Sequence, residues 1–209
     1  MTRVAVVTLD GFNEIDSFIA SYMLGRVDRP DWSVAIASPT PQVTSMNGVT
    51  VTAQMSLDEL PEMDAVLVGS GSKTRAYVAD PAFLASLRLD PTRQVVGSQC
   101  SGALLLAKLG LLDGVPICTD LITKPWVVEA GARVVDQPFF AAGNVGHRRR
   151  LPVEPIPRRV DHPAARRPRD RPRGAVLRRP RRSEGRARRP RPGSRHVTSF
   201  LTAAAGASV

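Results

Sequence analysis

The sequence predicts an α/β domain built on a doubly wound, mostly parallel sheet. Three observations point to it. Arg3-Val4-Ala5-Val6-Val7-Thr8-Leu9 is a continuous apolar run, as expected of a strand buried on both faces. Similar short runs then alternate with stretches of helical spacing. Several runs also end in acidic or Gly/Ser-rich loops, the places where such sheets gather their sites.

Taken in order, the first strand leads into Asp10-Gly11-Phe12-Asn13-Glu14-Ile15-Asp16. Phe18, Ile19, Tyr22, Met23 and Leu24 then recur at helical spacing. Trp32 to Ala37 predicts a second strand, and Val43 to Thr52 a hairpin turned at Met46-Asn47-Gly48. Asp64 to Val68 predicts a third core strand ending in Gly69-Ser70-Gly71-Ser72, a tight loop poor in side chains. Gln94 to Gly97 predicts a strand that runs into Ser98-Gln99-Cys100-Ser101-Gly102, with a buried helix from Ala103 to Leu112. A strand at Pro116 to Thr119, a helix from Lys124 to Ala130, and strands at Ala132 to Val135 and Gly143 to Val145 complete the pattern.

The 209 residues carry a formal charge of +10, but the charge is not spread evenly. Residues 1–145 hold 10 Lys and Arg against 15 Asp and Glu, a net of −5; residues 146–209 hold 19 against 4, a net of +15. The expected organisation is therefore a domain over 1–145, incomplete at its C-terminal end, and an Arg/Pro-rich tail over 146–209. That tail is expected to be disordered and to bind nucleic acid only non-specifically.

All nineteen bases of the tail are Arg. Selection for charge accepts Lys as readily, whereas GC-rich DNA translated out of frame yields the CGN and CCN codons of Arg and Pro. Codons exist for Gly146 through His162 that, read one base later, spell Ala-Thr-Ala-Gly-Gly-Cys-Leu-Ser-Ser-Gln-Tyr-Leu-Ala-Ala-Trp-Ile-Thr. The hidden segment is a small-residue turn followed by an amphipathic helix, so a frameshift near residue 146 is the expected origin of the tail.

No run of eighteen apolar residues exists, and the chain enters a strand without a basic region, apolar stretch and cleavage site. A cytoplasmic location with no membrane partner is expected. Cys100 and Cys118 are too few for a disulfide framework, and neither has a second Cys or His at ligand spacing. No metal and no cofactor is expected; the Gly69 to Ser72 loop lacks the rest of a phosphate-binding motif.

A Cys between a strand and a helix, flanked by small residues, matches the sharp turn of a nucleophile elbow. Helix amides pointing at the sulfur predict a lowered thiol pKa. The amides of Ser101 and of the loop containing Ser70 and Gly71 are candidates for holding an oxyanion. Asp16 suits either the N-cap of the first helix or a proton-handling role at the elbow, with Glu14 as the competing carboxylate. Asp120 suits a helix cap for Leu121 onward or a pocket position, and Lys124-Pro125-Trp126 a helix start or a pocket wall.

Asp10 to Asp16, Gly69-Ser70-Gly71, Gln99-Cys100-Ser101-Gly102 and the Leu-rich helix beyond together resemble the DJ-1/PfpI (ThiJ) superfamily over residues 3 to 145. The resemblance implies a flavodoxin-like, glutamine amidotransferase-like fold and a homodimer. It also implies a catalytic Cys100, with a carboxylate at Asp16 that hydrogen-bonds it and a hydroxyl directly after it at Ser101. The layout is nearest to the isonitrile hydratases. Many relatives carry a His where this chain has Asp120; its own His147, His162 and His196 all fall after residue 145. A Cys-His triad is therefore not expected. The implied function is a cysteine-dependent hydratase or amidase acting on a small molecule. Alternatives are a ligand-sensing domain related to AraC-type regulators, or a redox and stress sensor.

Overall fold

The computed structural model describes residues 1–148, and the Arg/Pro-rich stretch beyond them, with the predicted disordered tail, lies outside the described residues. The strands are β1 (Thr2–Val7), β2 (Trp32–Ser38), β3 (Gln42–Thr44), β4 (Thr50–Thr52), β5 (Met55–Ser56), β6 (Ala65–Val68), β7 (Val95–Gln99), β8 (Phe139–Ala142) and β9 (Val145–Arg148). The helices are α1 (Glu14–Leu24), α2 (Thr74–Val78), α3 (Pro81–Ser86), α4 (Gly102–Lys108) and α5 (Lys124–Glu129), with a 3-10 helix at Leu57–Glu62. Seven strands form one sheet in the order β5-β2-β1-β6-β7-β9-β8. Every neighbouring pair in it is parallel except β8 with β9.

The apolar run of the first strand explains the layering. Successive side chains point to opposite faces, so Ala5 and Val7 join the larger core with Leu60, Val66, Leu104, Leu105 and Ile117, while Val4 and Val6 join Ala20, Leu24 and Ala65 beneath α1. Burial on both faces fits the place of β1 in the interior of the sheet, between β2 and β6. Its C-terminal end therefore opens beside the ends of β6 and β7.

The hairpin forms as β3 and β4, with Thr44 opposite Thr50 and Gly48 in the left-handed region at φ 88°. The predicted strands at 116–119 and 132–135 reduce to one parallel bridge, Ile117 with Val134, held by Ile117 N–H to Arg133 O at 2.9 Å and Val135 N–H to Ile117 O at 2.7 Å. The helix predicted to reach Leu112 stops at Lys108 and gives way to turns, with Gly110 at φ 69°. The strand predicted at 143–145 starts at Val145 and runs past it: Gly146 pairs with Gly97 and His147 with Ser98.

Candidate active site at the β7–α4 elbow

Chain direction reverses sharply between β7 and α4, and Cys100 takes the strain. Its φ of 48° is the only positive value among the described non-glycine residues, a conformation that ordinary side chains disfavour. Gly102 makes the turn possible: a Cβ there would lie 2.6 Å from both Val68 O and Gly69 O. The first turn of α4 thus rests directly on the end of β6. This is the predicted elbow, with Cys100, 9% exposed, at its apex.

Ser101 faces the loop after β6. Its Oγ accepts from the Gly71 amide at 3.1 Å and lies 2.9 Å from Thr74 Oγ1, whose hydroxyl also lies 2.9 Å from Gly71 O. The Gly71 amide, predicted to serve an oxyanion, is therefore engaged by Ser101. Gly71 packs so closely on Gly11 that a Cβ would lie 2.7 Å from Gly11 O. Asn13 N–H to Ser70 O and Ser72 N–H to Gly11 O, each 2.9 Å, complete the clamp.

The carboxylates separate into distinct places. Asn13, not Asp16, caps α1, with its Oδ1 accepting from Ile15 N–H at 3.1 Å. Asp16 sits in the first turn of α1, 6% exposed, and accepts from the Ser70 hydroxyl. Glu14 serves the hairpin: Oε1 accepts from Ser45 Oγ at 2.5 Å and Oε2 from Asn47 Nδ2 at 2.9 Å. The Ser45 bond leads in holding its carboxyl below the usual range. These contacts orient Glu14 toward residues 45–47.

Asp120 meets the sulfur. Cys100 Sγ donates to Asp120 Oδ2 at 2.9 Å. The same oxygen accepts from Thr123 Oγ1 at 2.6 Å, and Oδ1 accepts from the amides of Ile122 at 2.8 Å and Thr123 at 3.0 Å. Asp120 therefore caps the turn entering α5 and contacts the thiol at once. Thr119 Oγ1 donates to Cys100 O at 2.8 Å, binding the 118–123 segment to the elbow. Sequence reasoning passed over Thr74, Thr119 and Thr123.

The electrostatics correct the prediction of a lowered thiol pKa. Burial pushes the Cys100 thiol up to about 12 from its ordinary 9.0; the bond to Asp120, the Asp120 charge and the Asp16 charge add to the rise, while the Ser101 amide works against it. Burial also acts to raise the Asp120 carboxyl, yet the bonds from Cys100, Thr123 and Ile122 outweigh it and hold its pKa below the usual range. The resting pair is thus a neutral thiol on a carboxylate.

Cys118 is fully buried, and its thiol donates to His147 O at 2.8 Å. His147, predicted to belong to the tail, lies in β9 and faces Ser98, two residues before Cys100. Trp126 is partly buried under the Arg75 guanidinium, 4.8 Å from its ring centroid. Among the described residues, no group of three or more His, Cys, Asp or Glu is placed to hold a metal ion, and no helix is long and apolar enough to cross a membrane.

Residues 2–147 match the DJ-1/PfpI family. No curated protein sequence matches the chain. Among solved structures, a ThiJ/PfpI family protein from Pseudomonas syringae is similar at TM-score 0.65 and 20% identity, over 71% of this chain and 62% of that one. A mutant of a DJ-1 superfamily protein from Salmonella typhimurium is similar at TM-score 0.61 and 25% identity, over 71% and 82%. A two-domain protein from Anabaena variabilis, with DJ-1/ThiJ/PfpI-like and ferritin-like domains, is similar at TM-score 0.63 and 18% identity, over 71% and 44%. The chain therefore spans less than two thirds of the Anabaena and Pseudomonas proteins. With the family match covering the sheet, the elbow and the loops that clamp it, the chain belongs to the DJ-1/PfpI family.

Proposed function

We propose that this chain is a cysteine-dependent hydratase of the isonitrile hydratase type, in which Cys100 attacks a small electrophilic carbon. The observation that carries the reading is the thiol of Cys100, held at a strained elbow with its proton directed at the Asp120 carboxylate 2.9 Å away. Covalent catalysis needs a nucleophile within hydrogen-bond reach of a base. Asp16, buried against Ser70, is the second carboxylate of the site, suited to handling a proton of the water that follows.

A redox-sensing role is less well supported, because oxidation runs through the thiolate and the surroundings of Cys100 disfavour that form at neutral pH. As for partners, a homodimer is supported by one face of α1, where Ile15, Phe18, Ile19, Tyr22 and Met23 recur at helical spacing and are all exposed. Sedimentation velocity of the chain and of Tyr22→Glu tests this; dissociation of a dimer by the substitution is the expected result.

The activity is tested by incubating the purified chain, and the chain read one base later from residue 146, with small isonitriles, amides and α-oxoaldehydes. An N-substituted formamide from an isonitrile is expected, with its formation abolished in Cys100→Ala. Formamide that persists in Cys100→Ala, or none from either chain, refutes the hydratase reading.

A further inference from the structure

We propose that Asp120 is the general base of Cys100, taking the thiol proton as the sulfur forms its bond and returning it within the same catalytic cycle. The inference rests on Cys100 being the nucleophile, but not on which electrophile it attacks.

The geometry supports a base, not a bystander. Asp120 Oδ2 receives the thiol at 2.9 Å, and donors from Thr123 and Ile122 fix the carboxylate from its other sides. A carboxylate held by three bonds besides the thiol is aimed before substrate arrives, which removes reorganisation from the reaction step. The segment that carries it is tied to the elbow itself through Thr119 Oγ1 and Cys100 O, 2.8 Å apart. Sulfur and base are thereby held in register. The charged groups acting on the thiol are Asp120 from this segment and Asp16 from α1, both acidic. The thiol therefore rests neutral, and it needs a proton acceptor at the moment of attack.

With an isonitrile the steps balance without an oxidant or reductant. The S–H proton moves to Asp120 Oδ2 as sulfur bonds the terminal carbon. The electron pair then left on that carbon takes the proton back from Asp120, giving a thioimidate. Water adds to the same carbon, the C–S bond breaks, the sulfur regains a proton and the formamide leaves. With an activated aryl ester, Asp120 takes the same proton while sulfur bonds the carbonyl carbon, and the phenolate departs to leave the acyl group on Cys100.

The test uses the full chain and p-nitrophenyl acetate, whose burst of nitrophenolate reports acylation of Cys100 whatever the natural substrate is. Wild-type protein should give a burst at neutral pH that Cys100→Ala lacks and that slows in D2O. Asp120→Asn should slow it by about 10²–10⁴ and abolish the solvent isotope effect, although direct thiol titration by absorbance should show the thiolate forming at lower pH than in the wild type. A residue acting only through its charge behaves oppositely, since more thiolate then means a faster burst. Asp120→Glu, which keeps a carboxylate, should retain part of the rate and the isotope effect, which guards against misfolding as the cause. An Asp120→Asn burst as fast as the wild type's, or no Cys100-dependent burst from the wild type, overturns the proposal. Failure of the isonitrile assay alongside the expected burst pattern discards the hydratase reading and leaves Asp120 as the base.

Discussion

Ser98 and His147 face each other across the pairing of β7 with β9, with Ser98 Oγ 2.7 Å from His147 Nδ1. His147 is 1% exposed, and its Nε2 has no hydrogen-bond partner among the described residues. A buried, unpaired ring nitrogen tolerates only the neutral imidazole.

Acid should therefore destabilise the protein through this ring. Burial lowers the pKa of His147 to about 4 from its ordinary 6.5. Between those values the unfolded chain binds a proton that the folded chain does not. Stability is complete above pH 6.5 and falls as pH drops toward 4, by about 3 kcal/mol over the window. Urea melts at steps through this range should show the fall in the wild type and a smaller one in His147→Gln, which does not titrate. Parallel curves for the two proteins would show that the ring is not the group responsible.

Gly102→Ala should damage both stability and the site. The added carbon meets two backbone oxygens at 2.6 Å, and neither is the tip of a flexible side chain that could swing aside. Either α4 moves off the end of β6 or the elbow opens, at a cost of about 1–3 kcal/mol or more. A lowered denaturant midpoint, together with altered reactivity at Cys100, is the expected outcome. An unchanged midpoint would mean that the close approach is relaxed in solution.

Asp16→Asn should affect chemistry more than folding. The replacement keeps an oxygen that can accept from Ser70, and Asn13 caps α1 independently, so the change in stability should be about 1 kcal/mol or less. If Asp16 handles a proton of the attacking water, turnover falls by about 10²–10⁴, while the first acylation of Cys100 keeps its rate. Measuring burst and steady-state phases separately checks this. Slowing of the burst alone would place Asp16 on the sulfur step.

The central strands and the elbow were legible because their signals are local. The run from Val4 to Val7 has to be buried on both faces, and small residues around Cys100 have to mark a sharp turn. The partner of the sulfur was not legible as Asp120, since both candidate roles of that residue are written in the same helix-start pattern and only three-dimensional packing shows that it fills both. Gln94 is similar. Its place in the sequence predicts the opening of a strand, yet its buried amide donates to Leu60 O at 2.6 Å and Met63 O at 2.8 Å, 34 and 31 residues away. The lowered thiol pKa failed for a related reason: helix amides can be inferred from sequence, whereas the burial and the second carboxylate that outweigh them cannot.

A frameshift near residue 146 predicts that the chain read one base later from there is the more stable protein. β9 needs small or apolar side chains where it crosses the core, and the chain supplies His147, buried with one nitrogen lacking a partner among the described residues, against Ser98. With the codon choice that spells the hidden segment, the frame one base later puts Thr at that position, flanked by two Ala, and an amphipathic helix after it. Burying about five large side chains of such a helix, at roughly 1.5–3 kcal/mol each, contributes on the order of 10 kcal/mol. Typical domains have only about 5–15 kcal/mol in total, so the gain should raise the thermal midpoint by many degrees. Thermal and urea melts of the two proteins, alongside sequencing of the coding DNA around residue 146, provide the check. A cooperative melt of the 209-residue chain within a few degrees of its restored counterpart, with the present frame confirmed in independent reads, would establish the Arg/Pro segment as the protein's own.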